Sequence, residues 1–135
     1  MPSIKINHCL ICDTAREEAR NKISLLGFFG VTPNVEVRLD TFELPVNELT
    51  LVFIGSISGS AGRAEVTIEL FDYSDRMLFS HSQSSELQPK ERANFIFNIR
   101  LLKFVHPGRH KIRLRIDGRP VYNTDFLISR NVPTP

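Results

Sequence analysis

Long apolar runs are missing from this sequence. No stretch approaches the roughly 20 apolar residues that a membrane-spanning helix needs. The opening Met-Pro-Ser-Ile-Lys-Ile-Asn-His lacks the apolar core of a secretory signal. Cysteine is scarce: Cys9 and Cys12 alone are too few to staple a secreted module. These shortages set the expectation of a cytoplasmic protein. An excess of one charge is also missing. The net charge of +2 is too small for bulk electrostatics to argue for nucleic acid. The sequence has neither a Gly-x-Ser-x-Gly elbow nor a phosphate-cradling Gly-x-x-x-x-Gly-Lys-Ser/Thr loop. The serines between Gly55 and Ser60 sit where no strand-to-helix turn is expected. The expectation is a protein that is not an enzyme and carries no cofactor.

What the sequence does contain is alternation. Val66, Ile68 and Leu70 alternate with Glu65, Thr67 and Glu69, which is the period of a half-buried strand. Ile112, Leu114 and Ile116 alternate with Lys111, Arg113 and Arg115, and Val35, Val37 and Leu39 with Glu36, Arg38 and Asp40. Leu49 to Ile57 is apolar on both parities, as in a strand covered on both faces. Ala93 to Phe104, Ile4 to Ile11, Ile23 to Phe29, Met77 to His81 and Tyr122 to Ile128 complete the strands. The 135 residues suit one domain over 1–130, with a frayed tail at 131–135. Regular strand spacing points to an all-β fold: a two-sheet antiparallel β-sandwich, immunoglobulin-like or C2-like.

The breaks between strands are turn chemistry. Gly59 to Gly62 and Asp72 to Asp75 separate strands, and His106-Pro107-Gly108 and Asp117-Gly118 read as hairpin connections. Asp13 to Asn21 breaks the period with good helix formers. Thr14 and Glu17 have capping-box spacing, which predicts a short helical turn or loop. Pro89 to Arg92 reads as one helical turn or an open loop.

Two motifs carry a resemblance. Asp13, Lys22, Ile23, Leu25, Gly27 and Phe29 fit an N-terminal hairpin of the form apolar strand, Asp, variable loop, Gly-Lys-Leu-x-Leu-x-Gly-Val-Phe, with Asn21 in place of its first Gly. Pro107-Gly108, His110, Leu114, Ile116, Asp117-Gly118 and Phe126 fit a closing hairpin and final strand. In both, the chain resembles an uncharacterised bacterial family of small β-sandwich domains. The resemblance implies the sandwich fold and brings no catalytic residue.

The candidate sites have mostly structural readings. Cys9-x-x-Cys12 has the spacing of half a zinc site, but residues three apart on a strand point to opposite faces. They read as small apolar fillers without metal, with a redox role for Cys12 needing basic neighbours. His106 and His110 flank Pro107-Gly108 and read as solvated turn histidines, while His8 and His81 stand apart. Asp72, Asp75, Asp117 and Asp125 are too scattered to suggest the converging oxygens of a calcium site.

Charge is the feature with most functional content. Arg100, Lys103, Arg109, Lys111, Arg113, Arg115 and Arg119 face only Asp117 in their stretch of chain. If 93–104 pairs with 109–116 across Pro107-Gly108, Arg100 lies opposite Arg113 or Arg115 on the outer face. Acidic neighbours such as Glu36, Glu65 or Glu69 would relieve the repulsion, or an anionic ligand would. The sequence therefore supports three functions in order. The first is a non-catalytic binding or assembly module that meets a protein partner, or itself, through a sheet edge. The second is an anion- or nucleic-acid-binding face made of Arg100, Lys111, Arg113 and Arg115. The third is an enzyme whose site the sequence hides.

Overall fold

The computed structural model describes residues 2–131, and beyond Asn131 the expected frayed tail lies outside the described residues. The alternating segments form nine strands: β1 (Pro2–Glu17), β2 (Ile23–Val31), β3 (Glu36–Leu39), β4 (Val46–Gly59), β5 (Gly62–Phe71), β6 (Met77–Leu87), β7 (Lys90–Leu102), β8 (Gly108–Ile116) and β9 (Arg119–Arg130). They build two sheets, A in the order β2-β1-β4-β7 and B in the order β3-β9-β8-β5-β6. Neighbours are antiparallel except β3, which runs parallel to β9. The β1-β4-β7 order in one sheet and β6-β5-β8-β9 in the other are the A-B-E and C′-C-F-G orders of an immunoglobulin-like sandwich.

The core lies between the sheets. Leu51, Phe53, Phe97 and Ile99 of sheet A meet Ile68, Leu70, Ile112, Leu114, Phe126 and Ile128 of sheet B, all buried. Phe53 packs edge-on against both Phe97 and Tyr122. Each such side chain contributes about 1.5–3 kcal/mol when fully buried.

Strand β4 is covered on both faces, as its sequence implies, because the β1–β2 hairpin folds over the outside of sheet A. Val52 and Cys12, which point away from the core, are fully buried. A cleft of about 500 Å³ has Leu10, Ile54, Arg92 and Asn94 on its sheet side and Arg20, Lys22, Ile23 and Leu25 on its hairpin side.

The structure corrects the sequence reading at three places. Residues 13–17 extend β1 rather than forming a helical turn, because Thr14 to Glu17 find ladder partners in Leu26 to Ile23. Only Ala19–Asn21 makes a 3₁₀ turn, with Arg20 left-handed at φ 64°. Pro89 ends a short link, and β7 begins at Lys90. Finally, the connection through His106-Pro107-Gly108 is not a hairpin. It carries the chain from sheet A to sheet B, where β8 pairs with β5 and β9, while β7 pairs with β4. Asp117-Gly118 is a hairpin: Ile116 pairs with Arg119, and both turn residues have positive φ, as a two-residue turn of the I′ kind requires.

Candidate binding surfaces

The four basic residues do not form one face. Arg100 lies on β7 in sheet A, opposite Glu48. Lys111, Arg113 and Arg115 lie on β8 in sheet B, on the other side of the sandwich. Each of these three has a carboxylate. Lys111 donates to Asp75 of the β5–β6 turn. Arg115 Nε donates to Glu69 Oε1 at 2.6 Å, and Arg113 sits 3.9 Å from the same oxygen. Glu69 is placed for this by register, since it pairs with Arg113 across the β5–β8 ladder. Arg113 also stacks its guanidinium over Phe71 at 5.1 Å, and Arg109 pairs with Asp125 at 2.7 Å. Of the acidic residues named for compensation, Glu69 performs it. Glu36 pairs with Arg38 instead, and Glu65 accepts no basic hairpin residue but donates its N–H to Asp117.

The cysteines, aspartates and histidines are structural in different ways. Cys9 and Cys12 are both buried and unbridged. Cys9 lies in the core, and Cys12, between Thr50 of β4 and Phe28 of β2, is buried outside it. Burial pushes the Cys9 thiol up to about 12, and burial with the nearby Asp13 and Glu48 carboxylates raises Cys12, so both sites disfavour the reactive thiolate. Asp72 is used by its own turn, accepting from the Ser74 N–H, the Ser74 hydroxyl and the Arg76 N–H. Burial acts to raise its pKa, but those hydrogen bonds outweigh it and hold the carboxyl below its usual range.

His106 is exposed and meets Tyr73 edge-on, but His110 is fully buried. It packs against Phe104 and Phe126, with Nδ1 2.8 Å from the Gly108 carbonyl. Its Nε2 is buried with no partner. That geometry fits a neutral ring whose Nδ1–H donates to Gly108. Burial lowers its pKa, against the opposing pull of Gly108 and Asp72. The signal for this placement was in the sequence, because His110 shares parity with Ile112, Leu114 and Ile116.

Two edge features were not read from the sequence as sites. The first is β2. This edge strand, Ile-Ser-Leu-Leu-Gly-Phe-Phe-Gly-Val, carries no charge and no proline. Leu26 is 70% exposed and Phe28 54%, with Phe29 and Val31 also exposed. The second is the open side of the sandwich between β6 and β7, the free edges of sheets B and A.

Residues 7–129 match DUF6941, a family of unknown function, and the chain belongs to that family. No curated protein matches it. Among solved structures it is similar to the Pseudomonas fluorescens alkylpurine DNA glycosylase AlkC bound to DNA containing an abasic site analog (12% identity, TM-score 0.54, 93% of this chain and 30% of that one). It is also similar to a β-glucosidase from Listeria innocua (12% identity, TM-score 0.52, 96% and 16%). An immunoglobulin-like protein from Pseudomonas aeruginosa matches at 12% identity and TM-score 0.43 over 93% and 96% of the two chains. The chain spans less than a third of the first two proteins, and at these identities they show the fold alone. No helix among the described residues is long and apolar enough to cross a membrane.

Proposed function

We propose that this domain is a non-catalytic assembly module of the cytoplasm that associates with a second copy of itself through the edge of β2. The observation that supports it is the self-complementary chemistry of that strand. Antiparallel pairing about Gly27 sets Leu26 against Phe28, Leu25 against Phe29 and Ile23 against Val31, each twice over. No like charges meet, and the unpaired backbone groups of the edge gain ladder partners. Natural edge strands are guarded by lysine, proline, short length or a bulge; β2 has a bulge at Phe29, but its nine uncharged, largely apolar residues carry no lysine and no proline. The non-catalytic part of the reading rests on the missing nucleophile and phosphate motifs.

The anionic-ligand reading has less support. Its face reduces to three cations on β8 that already hold Asp75 and Glu69.

Sedimentation equilibrium across protein concentration tests the proposal. The wild type should show a reversible monomer–dimer equilibrium, and Phe28→Lys should remain monomeric with little change in melting, since Phe28 is already half exposed. A wild type monomeric at every concentration, or a Phe28→Lys variant that dimerises as well as the wild type, would overturn it.

A further inference from the structure

Sheet B has five strands and sheet A four, and the mismatch falls at one place. The middle of strand β6 overhangs the sandwich, between Phe79, which packs against the core, and Leu87, which is buried in it. Its positions that share the inner face with Leu70, Ile68 and Val66 are Phe79, His81 and Gln83. His81 and Gln83 are exposed although they point inward. On the opposite sheet, β7 is bonded to β4 along one side, and its other side is a free edge. In the constant-type immunoglobulin arrangement a further strand, D, flanks E at this position. Here β7 occupies E's place, and the D position is vacant. Two clefts, of about 730 and 290 Å³, run along it and share Gln83, Ile96, Phe97 and Asn98.

We infer that this vacant position receives an extended peptide segment of a partner protein. The segment would pair its backbone with β7 and turn uncharged polar side chains toward β6. A row of free backbone N–H and C=O groups over a 13-residue strand is satisfied along its length only by another strand. The groups on the β6 side, His81, Gln83 and Ser85, offer hydrogen bonds without fixed charge. Charges are kept to the rim, where Arg16, Lys90 and Arg92 lie near Glu17 and Glu86. A second copy of the chain is disfavoured in the register centred on Ile96, where antiparallel pairing of β7 with itself sets Arg92 against Arg100 twice, and like charges directly opposite are destabilising. This site is separate from the β2 edge and does not depend on it.

The test is a titration of the isotope-labelled full chain, followed by NMR. The probe is a pool of end-capped peptides of roughly six to eight residues, the usual strand length. They carry Ser, Thr, Asn or Gln at alternate positions and Val or Ile between. Saturable shifts should map to β6 and β7, and outward-facing β7 amides should exchange about tenfold more slowly. Gln83→Lys should weaken binding by about tenfold with unchanged melting, and His81→Lys serves as the second variant if the first is unstable. Three results would overturn the proposal: no saturable shifts at millimolar peptide, shifts confined to β2 or β8, or full binding by both variants. A neutral oligosaccharide that moves the same resonances where peptides do not would overturn it too.

Discussion

The carboxylate of Asp13 lies directly over Gly27. A Cβ built on Gly27 would sit 2.6 Å from the Asp13 carboxyl carbon. Gly27 is also left-handed, at φ 66°. The two residues face each other across the β1–β2 ladder, next to the register shift between Ile11 and Cys12 where the hairpin begins to bend over sheet A. This is a physical reason for Asp13 and Gly27 to occur together in the N-terminal motif. Gly27→Ala should lose about 1–2 kcal/mol from the backbone conformation alone, and more from the clash. In the double variant with Asp13→Ala the carboxyl group is gone and only the residue-13 Cβ, at 2.9 Å, still crowds the new side chain, so the combined loss should be smaller than the sum. Urea denaturation of the four proteins measures the coupling.

His110 should make stability depend on pH in a defined direction. Its folded pKa lies below the ordinary value of about 6.5. The unfolded chain therefore binds the proton more readily, and the stability from the neutral buried ring is fully present above pH 6.5. It declines as the pH falls from there toward the folded pKa. At more acid pH, protonation of Glu36 and Asp72, whose pKa values are lowered in the fold, adds to the loss. Denaturation midpoints at pH 7.5 and 5.5 should differ in the wild type and differ less in His110→Leu. Equal pH dependence in the two proteins would contradict a neutral buried histidine.

Glu69 is shared by Arg113 and Arg115 and is the most buried member of the group. Because both arginines are partly exposed, Glu69→Gln should cost no more than about 1 kcal/mol, shrinking as salt is added. Arg113→Ala with Arg115→Ala should change melting little. Heparin retention at low salt separates the two readings of this strand. Glu69→Gln should increase it only if the β8 cations can hold an anion once freed, and no retention by either protein would leave them as ion-pair partners of the sheet.

Most of the strands were legible because their alternation is written in residue type. Val66-Ile68-Leu70 and Ile112-Leu114-Ile116 are buried as their parity implies. Alternation failed where a strand lacks a facing neighbour. Beyond His81, β6 continues through Ser82-Gln83-Ser84-Ser85, polar on both parities where His81 and Gln83 of its inner face stay exposed, before Leu87 returns to the core. It failed again where pairing is a matter of distant partners. The bend at Pro107-Gly108 is local chemistry, but whether it closes a hairpin or crosses between sheets depends on β4 and β5 competing for β7 and β8. Misassigning that bend is what gathered Arg100 with Arg113 and Arg115 on one face. The apolar edge was visible as a strand, but its exposure was not, since a sequence does not show which strand stands last in a sheet.

The central claim is that β2 pairs with β2 of a second copy, and the most direct measurement is an isotope-filtered NMR experiment on a mixture of labelled and unlabelled chains. Intermolecular contacts should appear between backbone protons on either side of Gly27, with Leu26 of one copy meeting Phe28 of the other. They should vanish in Phe28→Lys. A mixture with no intermolecular contacts at the highest attainable concentration, or with contacts confined to β7 or β8, would contradict the account.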